Sequence, residues 1–141
     1  MPSILIAEDD ADDRFLLQTA LEETRSEEKI KFVENGIELL NYLADLKEVK
    51  GEIPYPKFIL LDLNMPKMDG RETLKILKSN NEFKKIPVII FSTTKNEMEV
   101  RRCYDSGANT YVVKPVNFDS LVSTLEHICS YWIKTATLPP F

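Results

Sequence analysis

The chain has little of what several protein classes require. Among 141 residues there are two cysteines, Cys103 and Cys129, and one histidine, His127. The two cysteines are far apart, which argues against a zinc site and against a disulfide framework. Both thiols read as small core or near-surface groups of a reducing compartment. A positive excess is also missing. The formal charge is −5, whereas direct nucleic-acid binding needs a basic surface to displace counterions. No apolar run approaches the roughly 20 residues of a membrane span, and the opening "MPSILIAEDD" meets acids too early for a signal peptide. The expectation is a cytoplasmic protein without membrane insertion. At 43% hydrophobic and 29% charged residues, the composition is that of a globular protein able to bury one sizeable core.

What is present is a regular alternation. Short apolar runs at 3–7, 30–34, 58–62, 88–92 and 110–114 read as strands, and each is followed by residues at helical spacing. The first helical segment carries Phe15, Leu16, Ala20 and Leu21, with Asp10 as N-cap. The second is "IELLNYLADL" after Asn35-Gly36. The third has Leu74 and Leu77 on its apolar face, leaving Lys75 and Lys78 to reach solvent. The fourth spans 96–106 with Gly107 as C-cap, and the last spans 118–134. Strands that are mostly apolar, without a clean period of two, predict an α/β fold whose five-stranded parallel sheet is doubly wound, covered on both faces. The connection "KEVKGEIPYPK" at 47–57 reads as a long surface loop. We see no internal repeat, so the whole chain, 1–141, is expected to be a single domain with a short tail at 135–141.

The stretch "FILLDLNMPKMDG", residues 58–70, is apolar until it stops at Asp62. A plain turn would explain it, since Asn, Pro, Asp and Gly are turn residues. A calcium loop would not: Pro66, Lys67 and Thr73 occupy positions where an EF-hand needs a ligand, a glycine and a glutamate. Parallel sheets bind ligands beyond the carboxyl ends of their strands. The residues there are Glu8 and Asp9 after the first strand, Asp62 at the third, Ser92 at the fourth and Lys114 at the fifth. Taken singly, each has a plainer explanation as a cap or a turn. Jointly they bring three carboxylates, a hydroxyl and an ammonium to one edge. Crowded carboxylates repel, which raises one or more pKa values and favours a divalent cation. Few, hard oxygen ligands suit Mg²⁺ with retained waters, and Mn²⁺ should substitute. A metal beside a carboxylate, a hydroxyl and a lysine suits phosphoryl transfer, with Asp62 as nucleophile forming an acyl phosphate.

Four segments, "ILIAEDD", "LLDLNMPKMDG", "PVIIFST" and "GANTYVVKP", together with the intervals from Asp62 to Ser92 and to Lys114, strongly resemble the receiver domain of two-component response regulators. The resemblance covers nearly the whole chain. It implies the flavodoxin-like strand order 2-1-3-4-5 and a phosphorelay in which a histidine kinase or histidine phosphotransfer protein phosphorylates Asp62. Glu8 and Asp9 would bind Mg²⁺ together with Asp62 and the backbone carbonyl of Asn64. Ser92 and Lys114 would complete the catalytic set. Ser92 and Tyr111 would be the switch, changing the face formed by the fourth helix, fifth strand and fifth helix. A cis Lys114–Pro115 bond is also implied, aiming the ammonium at Asp62. Asn64 and Thr94 would set the lifetime of the phosphate. Such a domain is a phosphoacceptor, assisting its own phosphorylation and autodephosphorylation, rather than an enzyme acting on other molecules.

The loop at 47–57 and the ending "YWIKTATLPPF" resemble a subgroup of stand-alone regulators, some of which partner bacterial phytochrome kinases and form homodimers. Tyr131 and Trp132 read first as packing of the last helix. His127 lies away from the acidic patch, so the donor histidine is expected on another protein. An Asp-nucleophile phosphatase would need a second Asp where Asn64 stands. A phosphate-independent receiver-like binding module is the alternative, although such modules typically lose part of the site.

Overall fold

The five apolar runs become five parallel strands because each carries enough branched and aromatic side chains to be covered by helices. The computed structural model describes residues 2–25, 27–48 and 55–140, so most of the connection at 47–57 lies outside the described residues. The strands are β1 (Ile4–Ala7), β2 (Ile30–Val33), β3 (Phe58–Leu61), β4 (Val88–Ser92) and β5 (Thr110–Val113). They form one sheet in the order β2-β1-β3-β4-β5, as expected for a flavodoxin-like receiver fold. β1, β3 and β4 are buried along their whole length, whereas β2 and β5 close the edges and are only partly covered.

The helices are α1 (Ala11–Glu23), α2 (Gly36–Lys47), α3 (Gly70–Ser79), α4 (Glu97–Asp105) and α5 (Phe118–Cys129). Every one starts on an Asp or Asn whose side chain accepts a backbone N–H of the first turn: Asp10, Asn35, Asp69, Asn96 and Asn117. These caps fix where each strand-to-helix turn ends, and hence where the chain crosses the sheet edge. Alternate strand residues feed two cores. Leu5, Ala7, Ile59, Leu61, Val88 and Ile90 pack with α2, α3 and Cys103 of α4. Ile4, Ile6, Phe58, Leu60, Ile89 and Phe91 pack with α1 and α5.

Three expectations are corrected. Phe15 and Leu16 do not face the core: Phe15 is 69% exposed and Leu16 is exposed too, because the buried stripe of α1 is Leu17, Ala20 and Leu21. Lys78 does not reach into solvent. Its ammonium donates to the carbonyls of Lys84 (3.0 Å) and Ile86 (2.9 Å), tying α3 to the 3₁₀ turn Phe83–Lys85, and burial pulls its pKa down to about 8. The last helix does not run unbroken to 134. It passes into a π-helical turn, Ser130–Thr135, after Cys129. There Trp132 packs on the α1/α5 core while Tyr131, edge-on to it at 5.0 Å between centroids, stays largely exposed.

Candidate functional site

Strand register alone assembles the site. Ala7 of β1 lies opposite Leu61 of β3, so the next residues, Glu8 and Asp62, leave the sheet side by side at the point where strand order reverses. Ser92 lies opposite Val113, and the Lys114 N–H donates to the Ser92 carbonyl at 2.8 Å, which brings the fifth strand's lysine to the same edge. Gly70 opens α3 directly behind Asp62. Its N–H donates to the Leu63 carbonyl (2.9 Å), and a Cβ there would run into the Asp62 carbonyl oxygen. The Asp-Gly pair is thus demanded by close backbone approach. Lys67, with φ 64°, takes the left-handed conformation that lets the turn close.

The Lys114 ammonium sits between the two buried carboxylates. It donates to Glu8 Oε1 at 2.7 Å and lies 3.6 Å from Asp62 Oδ2. Glu8 is 2% exposed. Burial drives its pKa up, the Lys114 hydrogen bond and charge pull it down, and Asp62 pushes it up again, leaving it at about 7. Burial works to lower the Lys114 pKa, but the Glu8 bond and the charges of Asp62, Glu8 and Asp13 outweigh it, so the net direction is upward. Asp9 is exposed, and one carboxylate oxygen from each of Glu8, Asp9 and Asp62 falls within 4.8 Å of the others. This all-oxygen set, with a buried carboxylate held so far above its usual range, is of the kind a small divalent cation neutralises.

The remaining expected residues are placed less tightly. Ser92 is fully buried and its hydroxyl accepts the Thr94 N–H at 3.3 Å. The Tyr111 hydroxyl donates to the Thr94 carbonyl at 2.9 Å, and its ring is half-buried against the α2–α4 core. Asn64 is exposed, two residues beyond Asp62. The Lys114–Pro115 bond is trans, which corrects the expected cis bond; the ammonium reaches both carboxylates without it. His127 is exposed on the last turn of α5, remote from this edge in the chain's topology.

Two features had no clear sign in the sequence. Arg71 of α3 pairs with Glu99 of α4 and donates to the Leu63 carbonyl beside Asp62. A cleft of about 320 Å³ opens next to Glu8 and Lys114, walled by Leu16, Val116, Phe118 and Leu121. With Val116 fully exposed, it gives the acidic edge an apolar rim. The misplaced α1 stripe is what concealed it.

A family model, the response regulator receiver domain, matches residues 4–126. The chain belongs to that family, whose members are signalling phosphoacceptors rather than classical enzymes. Within it, the similarity extends to stand-alone phytochrome response regulators. Response regulator Rcp1 of Synechocystis sp. is 36% identical over 96% of this chain and 92% of its own length; its Mn²⁺-bound crystal structure superimposes with a TM-score of 0.82. The phosphorylated cyanobacterial phytochrome response regulator RcpA is 38% identical, covering 96% of each chain, with a TM-score of 0.85. RPA3017, a response regulator in red light signalling of R. palustris, is 31% identical over the full length of both chains, with a TM-score of 0.89.

Proposed function

We propose that this chain is the phosphoacceptor of a two-component phosphorelay, modified on Asp62 by a histidine kinase or a histidine phosphotransfer protein. The observation that carries this reading is the Lys114 ammonium, 2.7 Å from Glu8 Oε1 and 3.6 Å from Asp62 Oδ2, beside the Asp9 carboxylate. An Asp62 carboxylate oxygen attacks the phosphorus of a phosphohistidine. The P–N bond breaks, the imidazole leaves with its electron pair and takes up a proton, and an acyl phosphate remains. Glu8, Asp9, Asp62 and the Asn64 carbonyl would hold Mg²⁺, which when bound supplies positive charge to the phosphoryl oxygens. Lys114 is placed to exchange its Asp62 contact for a phosphoryl oxygen while keeping Glu8. The apolar rim of Leu16, Val116 and Phe118 is the surface on which a donor would dry the site as it docks.

The response runs through two adjacent contacts. The Ser92 hydroxyl holds the Thr94 N–H, and the Thr94 carbonyl holds the Tyr111 hydroxyl. A Ser92 hydroxyl drawn to a phosphoryl group releases the first contact and moves the peptide that anchors the second. The face of α4, β5 and α5 then shifts in population rather than being rebuilt. The chain acts as a single receiver domain in the cytoplasm, and the similarity to phytochrome response regulators makes a phytochrome kinase the first donor to try. Incubation with radiolabelled acetyl phosphate should give stoichiometric labelling with Mg²⁺ and none with excess chelator. Absence of label in Mg²⁺, with beryllofluoride also failing to bind, would instead favour a phosphate-independent binding module.

A further inference from the structure

We infer that Arg14 is a positioning residue for the metal-binding turn, a role that rests on the phosphoacceptor reading above. Arg14 lies in the first turn of α1, with its backbone N–H bonded to the Asp10 carbonyl at 3.0 Å. From there its guanidinium folds back over the β1–α1 turn. One nitrogen, Nη1, donates both to the Glu8 carbonyl (3.0 Å) and to the Asp9 carbonyl (2.8 Å). The other, Nη2, pairs with Glu34 Oε1 at 3.3 Å, just beyond β2. The side chain is only 23% exposed. Two consecutive peptide planes are thereby fixed to a neighbouring strand's end.

Those two planes carry the two acids that precede the helix. Glu8 has other restraints, since Lys114 holds Oε1 and the Asp10 N–H holds Oε2 at 3.2 Å. Asp9 is exposed, and no side-chain hydrogen bond restrains its carboxylate among the described residues. Its direction is set by its backbone, and Arg14 sets that backbone. With both carbonyls turned to the guanidinium, the carboxylates are left to face Asp62. Arginine suits this place because one planar fork serves two carbonyls and a carboxylate at once, a geometry a lysine ammonium on its flexible stem does not reproduce. Groups that orient ligands in this way typically contribute about tenfold or more to metal affinity.

The test is a calorimetric Mg²⁺ titration of the full chain, comparing wild type with Arg14→Ala and Arg14→Lys, alongside melting curves in chelator. Removing a cation near three carboxylates should by charge alone tighten Mg²⁺ binding. Positioning predicts the opposite: about tenfold weaker binding in Arg14→Ala, with Arg14→Lys intermediate despite its retained charge. Arg14→Lys also carries the comparison if the alanine variant folds poorly. Equal or tighter binding in both variants would overturn the inference, as would a lowered metal-free melting temperature with unchanged affinity, which marks a purely structural role. A wild-type protein that takes up no Mg²⁺ would overturn the phosphoacceptor reading and this inference with it.

Discussion

Asp62→Asn is expected to abolish phosphoryl uptake while leaving the protein at least as stable as wild type. The amide has nearly the shape of the carboxylate but no anionic oxygen, so it cannot attack phosphorus. Its effect on the fold is small because the two electrostatic consequences oppose one another. The Asp62 charge is among the causes that push the Glu8 pKa up, so removing it relieves a buried repulsion. The same change costs Lys114 a partner at 3.6 Å, but the shorter bond to Glu8 remains. Phosphotransfer from a phosphorylated histidine phosphotransfer domain, read by loss of label from the donor, should fall to background in this variant. Its melting temperature should stay level or rise. A collapse in stability would mean that Asp62 is chiefly a structural partner of Lys114.

Glu8→Gln should separate folding from function in the other direction. A carboxylate whose folded-state pKa is raised by burial stabilises the protein below the ordinary carboxylate range and loses that contribution as pH rises through the folded value, here about 7. Without Mg²⁺ the wild-type protein should therefore be less stable at pH 8 than at pH 5, by on the order of 2 kcal/mol from this group. Glutamine keeps the shape and the acceptor for Lys114 but carries no charge, so the variant should outlast wild type at pH 8 and match it at pH 5. Millimolar Mg²⁺ should raise the wild-type melting temperature at pH 8 and leave that of Glu8→Gln nearly unchanged. Urea and thermal melts at the two pH values, with and without Mg²⁺, give all four comparisons. An equal pH dependence in the two proteins would remove Glu8 from the account.

Much of this was legible because the relevant signals are local. Strands ending in acids, the capping residue Asp10 and the Asp69-Gly70 pair each record a backbone constraint at a single position. The doubly wound order and the meeting of Glu8, Asp62 and Lys114 follow once five such strands lie parallel. Features set by tertiary reach were not legible. Phe15 and Leu16 fit an apolar helical stripe as well as Leu17 does, and only the position of α1 on the sheet selects the latter. Lys78 looked solvated because its acceptors are backbone carbonyls at the turn after α3. Arg14 and Arg71 act on backbone carbonyls, which no residue type announces.

The most direct measurement is the intact mass of the wild-type protein after incubation with acetyl phosphate and Mg²⁺, before and after hydroxylamine. An acyl phosphate on Asp62 predicts a single added phosphoryl group that hydroxylamine removes, and none at all in Asp62→Asn. A phosphoryl group that survives hydroxylamine, or one that persists in the variant, would place the acceptor elsewhere and contradict the account.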